Sequence, residues 1–359
     1  MSSQIWDSPL RIRKTLLKNR IVFPPVTTNW ANPDGTISNK MVEHYSTLAR
    51  GGCGMIVVEG TAISPEGKGT SNSLCLYDKN HLQGLELLAK TIKENNCFVS
   101  LQLNHAGGQA NPNFTNHEPL SPSGVICNST GFNSRPMSSL EIKEIRNGFI
   151  SASKSAYDLG FDAVEFHLAH GYLLHEFLSA HTNKRQDEYG GSLVKRMKLI
   201  LEIIDGTKKE SPNLILGVRI SGEDYIHDGI NKKINEEILP IIEEREVDYF
   251  SVTAGVYDTS KFKHEAMGRG DFFKYSQYVK EIVTKPVIGV GKVLDLNSAE
   301  RHLFQKECDL VAMGRAHIAD PEIVRKTKAN LEIDNCIQCD ECSYLKFGRS
   351  KLFCPTRGI

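Results

Sequence analysis

Residues 160–181, GFDAVEFHLAHGYLLHEFLSAH, hold His167, His170, His175 and His181, with Tyr172 two positions beyond His170. Two imidazoles three residues apart can aim ring N–H groups at one substrate oxygen. A phenol just beyond them can deliver a proton, because its ordinary pKa of about 10 keeps it protonated near neutrality. The competing use of HxxH is a metal site, but HExxH is missing and the nearby carboxylates, such as Glu176, belong to the following loop. His175 and His181 read as structural or surface residues.

A second group lies near the other end. Cys336, Cys339 and Cys342 fall within seven residues, and Cys354 follows. Three closely spaced thiolates can take three corners of a cubane, with a distant fourth completing it, so a [4Fe–4S] cluster is the favoured occupant. Zinc, which more often uses two separated CxxC pairs, and free thiols are the alternatives. Cys53, Cys75, Cys97, Cys127 and Cys308 read as buried apolar thiols of a reducing compartment.

These residues need a scaffold. Eight nearly continuous apolar runs recur: 20–26, 54–60, 98–103, 162–167, 214–220, 247–253, 286–290 and 309–313. Such runs suit parallel strands buried on both faces. Helical segments lie between them. Ser38 can cap a helix carrying Met41, Tyr45 and Leu48, and Ser138 with Glu141 forms a capping-box pattern. Eight alternations predict an α/β fold, a (β/α)8 TIM barrel over residues 1–331, followed by a short cysteine-rich segment, 332–359. A doubly wound sheet fits less well, because no GxGxxG follows a strand. The Gly-, Pro-, Asn- and Ser-rich insertion 104–137 follows the third strand and is expected to form a lid or pocket wall.

Active sites of such barrels form at the C-terminal ends of the strands. The polar and glycine residues there are Thr27, Gly60, Gln102, the His167–His170–Tyr172 group, Arg219, Gly289, Gly291, Gly314 and Arg315. Glycines let backbone N–H groups approach a phosphate and Arg315 adds a charge, so the seventh and eighth strand ends suggest a phosphate site; tight turns are the plainer explanation of the glycines. Arg219 interrupts an apolar strand. It needs either an internal salt bridge or a ligand that develops negative charge.

The 359 residues contain 43 basic and 43 acidic side chains, which gives no electrostatic case for nucleic acid or an anionic membrane. No apolar run is long enough to span a bilayer, and the N-terminus has no secretory h-region, so a cytoplasmic location is expected.

The segments PPVTTN, VVEGT, LQLNHAG, HLAHGYLLHEFLS, NKRQDEYGGS, GVRIS and MGRAHIADP together resemble the Old Yellow Enzyme family of FMN-dependent ene-reductases across essentially the whole chain. The cysteine pattern resembles the iron–sulfur branch, with 2,4-dienoyl-CoA reductase, trimethylamine dehydrogenase and the bile-acid enoate reductases. The resemblance implies that Pro25, Val26, Thr27 and Gly60 border FMN, that Gln102 and Arg219 meet its pyrimidine edge, and that Gly291, Gly314 and Arg315 hold its phosphate. It implies that His167 and His170 polarise an unsaturated carbonyl while hydride leaves flavin N5, and that Tyr172 protonates the α-carbon. Cys336, Cys339, Cys342 and Cys354 would be the cluster ligands.

The resemblance makes the expected partner a small unsaturated molecule and the expected electron source NAD(P)H. The chain stops five residues after Cys354. The donor is therefore expected to be NAD(P)H at the FMN, an electron-donor protein, or a C-terminal FAD and nicotinamide half of a longer chain. A homo-oligomer is left open. Two departures stand out: LVKR follows NKRQDEYGGS where ENR is usual, and Tyr257-Asp258 replaces a Trp-His pair of the dienoyl-CoA reductases. Oxidative amine demethylation, with an aromatic cage drawn from Trp30, Tyr257 and Phe177, is the principal alternative. A non-redox phosphate-binding barrel enzyme would leave Arg219, Gln102 and the cysteines without roles, and a pure electron-transfer module would leave Tyr172 and the histidine pair idle.

Overall fold

A computed structural model of the chain describes residues 4–259, 272–343 and 349–359. Eight parallel strands close into a barrel in sequence order. They are β1 (Ile21–Phe23), β2 (Met55–Ala62), β3 (Phe98–Asn104), β4 (Ala163–Leu168), β5 (Ile215–Ser221), β6 (Tyr249–Thr253), β7 (Val287–Val290) and β8 (Leu310–Ala312). The expected TIM barrel is borne out, and each strand falls within one or two residues of an apolar run. Burial on both faces explains why the runs are continuous: Val22, Met55, Phe98, Ala163, Ile215 and Leu310 fill the lower interior, while alternate residues face the helices.

The helix signals also hold. Ser38 accepts from the Met41 N–H at the start of helix Asn39–Arg50, and Ser138 and Glu141 complete a capping box on helix Ser139–Asp158. The short hairpin Leu10–Ile12 and Thr15–Leu17 was not foreseen; its Ile12 and Leu17 close the bottom of the interior cluster. Among the described residues no helix is long and apolar enough to cross a membrane.

The last residues pack on the barrel. The Leu352 N–H donates to the Thr28 carbonyl at 2.9 Å, and Leu352 and Cys354 are buried in the main core. Residues 344–348 of the segment expected over 332–359 lie outside the described residues, as do 1–3 and 260–271 of the barrel span.

Candidate active site

A polar layer sits above the apolar interior. Register pairs Gln102 with Glu165 and His167 with Arg219, so neighbouring strands bring these side chains to one level of the barrel. Gln102 Nε2 donates to Glu165 Oε1 at 2.8 Å, and Tyr249 Oη lies 2.9 Å from Ser100 Oγ. Burial raises the Glu165 carboxyl, an effect moderated by the Arg219 charge and the Gln102 amide. Arg219 is buried, and among the described residues its Nε has no hydrogen-bond partner. Glu165 Oε2 and His167 Nδ1 are likewise unsatisfied. Buried groups of this kind normally find partners, so this layer has the donors and acceptor of a ligand site. Glu165 went unremarked in the sequence; an acid inside the apolar run DAVEFH is the same signal as the arginine in LGVRI.

The turn after β4 explains HGY. His170 and Gly171 both adopt left-handed backbone, with φ of 62° and 78°. A Cβ on Gly171 would stand 2.6 Å from Gln109 Nε2, which donates to the carbonyl oxygens of His170, at 2.9 Å, and Gly171. Only glycine fits there. The turn lays His167 Nε2 at 2.9 Å from His170 Nδ1, and His170 Nε2 at 3.0 Å from Thr253 Oγ1. The two imidazoles therefore form a string with Thr253 rather than two separate arms. Burial and Arg219 push the His167 pKa well down, so the ring is neutral. Tyr172 packs against it with ring centroids 4.7 Å apart, and Tyr172 Oη lies 3.0 Å from Tyr257 Oη.

Tyr172 and Tyr257 line a cavity of about 270 Å³. Gln109, Asn111, Phe114, Thr130 and Phe132 of the insertion form its far wall, with Asn29 and Ser350 at the side. The 104–137 segment is thus a pocket wall, as expected. Of the aromatic residues considered for a cage, Tyr257 lines this cavity. Trp30 is buried against His44, under Lys40, and Phe177 belongs to the core. Phe114 and Phe132 were missed because nothing in a loop sequence says which way its rings turn.

Asp258, beside Tyr257, faces the insertion. Its carboxylate accepts from Ser129 N at 2.7 Å, Asn128 N at 3.2 Å and Cys127 Sγ at 3.3 Å. Asp258→Ala is expected to loosen this tip, raising KM severalfold and speeding alkylation of Cys127 as followed by peptide mass spectrometry. Unchanged Cys127 reactivity would contradict the clasp. The NKRQDEYGGS loop anchors the other end, since Arg185 pairs with Asp187 and donates to the Pro122 and Met137 carbonyls.

His175 is structural, as expected: it is buried and pairs with Asp224 at 3.0 Å. Glu176 is buried on the Gly108 N–H, and burial raises its pKa to about 8. A carboxyl raised in the folded state stabilises most at low pH, and that contribution drains away as pH rises from 4.5 to about 8. Glu176→Gln should therefore flatten the fall of Tm over that window; an unchanged slope would contradict the assignment.

At the mouth, Pro25, Val26 and Thr27 are half-buried, and a Cβ on Gly314 would lie 3.3 Å from Pro24 Cγ and 3.6 Å from Val26 Cγ2. A Cβ on Gly60 would stand 3.5 Å from Gln102 Oε1, so Gly60 borders the polar layer. Gly291 follows β7 and Gly314 opens the short helix Gly314–Ala319 after β8. Arg315 Nη1 donates to Asp340 at 2.6 Å, which ties this rim to the cysteine segment. Cys336, Cys339, Cys342 and Cys354 line one small cleft beside Arg315. Burial lifts the Cys342 thiol to about 11, against the pull of Arg315. Gln338 and Asp340, flanking Cys339, adopt left-handed backbone, which curls 336–342 into a tight loop. No described group of three or more His, Cys, Asp or Glu is arranged around a single metal ion.

Residues 7–334 match the NADH:flavin oxidoreductase / NADH oxidase family. The chain belongs to this family. The resemblance to Old Yellow Enzyme is thereby borne out, and with it an oxidoreductase barrel of the flavin class. The chain is 35% identical over 337 residues to the NADH oxidase of Thermoanaerobacter brockii, covering 92% of this chain and 52% of that protein. It is 34% identical over 330 residues to the NADPH dehydrogenase of Clostridium acetobutylicum, covering 90% and 95%. Among solved structures, 2-naphthoyl-CoA reductase with 2-naphthoyl-CoA superposes with a TM-score of 0.92 at 26% identity, over 98% of this chain and 56% of that one. The chain thus spans about half of the Thermoanaerobacter protein and of the naphthoyl-CoA reductase.

Proposed function

We propose that the chain is an FMN-dependent reductase of activated C=C bonds, α,β-unsaturated carbonyls or related acceptors, driven by NAD(P)H. The observation that carries this reading is Tyr172 on the wall of a cavity, packed edge-on against neutral His167 and within electrostatic reach of the buried Arg219. The unsatisfied Arg219 Nε suits the pyrimidine edge of FMN, beside Gln102. Pro25, Val26, Thr27 and Gly60 would border its ring, and Gly291, Gly314 and Arg315 would meet its phosphate once Arg315 shares its charge with Asp340.

FMN, when bound, supplies the hydride. The protein's own groups do the rest. His167 and His170 would donate to the acceptor oxygen and stabilise charge gathering there once the hydrogen bonds that join them to each other and to Thr253 give way. Arg219 keeps a positive charge under the site in a dry interior, where it acts strongly. Tyr172 delivers the proton to the carbon next to the carbonyl. The insertion walls one side of the cavity.

We read Cys336, Cys339, Cys342 and Cys354 as ligands of a [4Fe–4S] cluster. The shared cleft and the curled 336–342 loop support that reading. Electrons would reach it from an external donor protein or from a further FAD and nicotinamide half. Protein purified without oxygen should yield extractable FMN together with iron and acid-labile sulfide. Zinc in place of iron would overturn the cluster, and reduction of the flavin by amines, with no NAD(P)H oxidation supported by enones, enoyl-CoAs or bile-acid enones, would overturn the substrate class.

A further inference from the structure

We infer that Tyr257 is a positioning residue that restores the proton Tyr172 gives up. The inference rests on the reading of Tyr172 as the proton donor.

The turn that carries Tyr257 is held in three ways. Val256 bridges His170 in parallel, Val256 N donates to Thr259 Oγ1 at 3.0 Å, and Thr259 Oγ1 donates to the Asp224 carbonyl at 2.8 Å. Those contacts fix the Tyr257 phenol 3.0 Å from the Tyr172 phenol, with ring centroids 5.9 Å apart. Tyr257 is also a shared wall. On one side lies the substrate cavity with Tyr172; on the other lies a smaller cavity of about 30 Å³ that meets His175, Glu176 and Asp224. That volume holds one or two waters, given that each needs roughly 10–15 Å³ of probe space and polar partners. His175 Nδ1, buried and without a partner among the described residues, is one such partner.

The proton accounting closes on water. The Tyr172 O–H bond breaks as a C–H bond forms on substrate, and its electron pair stays on Oη as phenolate. Tyr257 then gives its proton to that oxygen. The Tyr257 phenolate takes a proton from water, and the hydroxide left behind is neutralised by buffer. The Arg219 charge steadies the phenolate meanwhile. Without Tyr257, Tyr172 loses a hydrogen-bond partner 3.0 Å from its oxygen, while substrate contacts elsewhere in the cavity remain.

The test uses Tyr257→Phe beside Tyr172→Phe in the full holoprotein. Tyr257→Phe should lower kcat for alkene reduction roughly tenfold, the size of one hydrogen bond to a charged oxygen. Reduction by NAD(P)H should fall less than alkene reduction, and the solvent deuterium isotope effect should change. A second readout needs no turnover: in Cζ-labelled tyrosine NMR, the resonance missing from Tyr172→Phe should shift in Tyr257→Phe. If Tyr172→Phe slows alkene reduction while Tyr257→Phe leaves kcat, isotope effect and resonance unmoved, the relay is wrong and the donor stands. If Tyr172→Phe leaves alkene reduction intact, the donor reading itself fails and takes the relay with it.

Discussion

Replacing Tyr172 with Phe is expected to slow alkene reduction by about a hundred- to ten-thousand-fold, the range that a positioned general acid contributes. Reduction of the enzyme by NAD(P)H should be nearly untouched. The asymmetry follows from geometry. The Phe ring keeps the packing on His167 at 4.7 Å and leaves Arg219 in place, so the cofactor side of the site is unaltered. What disappears is the one O–H that points into the cavity from the HGY turn. Stopped-flow measurement of the two half-reactions checks it. If both fall together, Tyr172 holds the site together rather than donating a proton.

Arg219→Gln is expected to weaken FMN binding by about ten- to a hundredfold, the value of a hydrogen bond to a charged partner. The effect on folding should be smaller, because Glu165 can be neutralised. Arg219 is buried at a cost that burial alone makes plain, since it lowers the guanidinium pKa. Removing it leaves Glu165 without its nearby cation. Glu165 is already raised by burial and keeps the Gln102 amide, so it takes up a proton instead of remaining as an uncompensated charge. Fluorescence titration of the flavin-free protein with FMN reads the affinity, and thermal unfolding reads the fold. Unchanged FMN affinity would remove Arg219 from the cofactor site. Arg219→Lys should not rescue fully, because an ammonium lacks the planar fork.

The barrel was legible because strands buried on both faces leave continuous apolar runs, and because its helix starts use local caps. Ser138 and Glu141 need only each other. The residues of the HGY segment were legible as a group, but its left-handed backbone at His170 and Gly171 was not. What stayed hidden depends on distant pairings. Thr253 joins the histidine string from a strand more than eighty residues away, and Tyr257 meets Tyr172 across a comparable gap. Asp258, half of a departure from the Trp-His pair of the dienoyl-CoA reductases, clasps the tip of the insertion. Phe114 and Phe132 become pocket residues through the fold of an irregular loop. The N-terminal hairpin is too short for its alternation to stand out.

The most direct test of the central claim follows absorbance through both half-reactions without oxygen. Purified holoprotein is bleached with a limiting amount of NAD(P)H and then mixed with an α,β-unsaturated carbonyl. The flavin absorbance should return, with one saturated product formed per flavin re-oxidised, and Tyr172→Phe should hold the bleached state far longer. A flavin that stays bleached before every activated alkene, yet is bleached from the oxidised state by an amine, would contradict it.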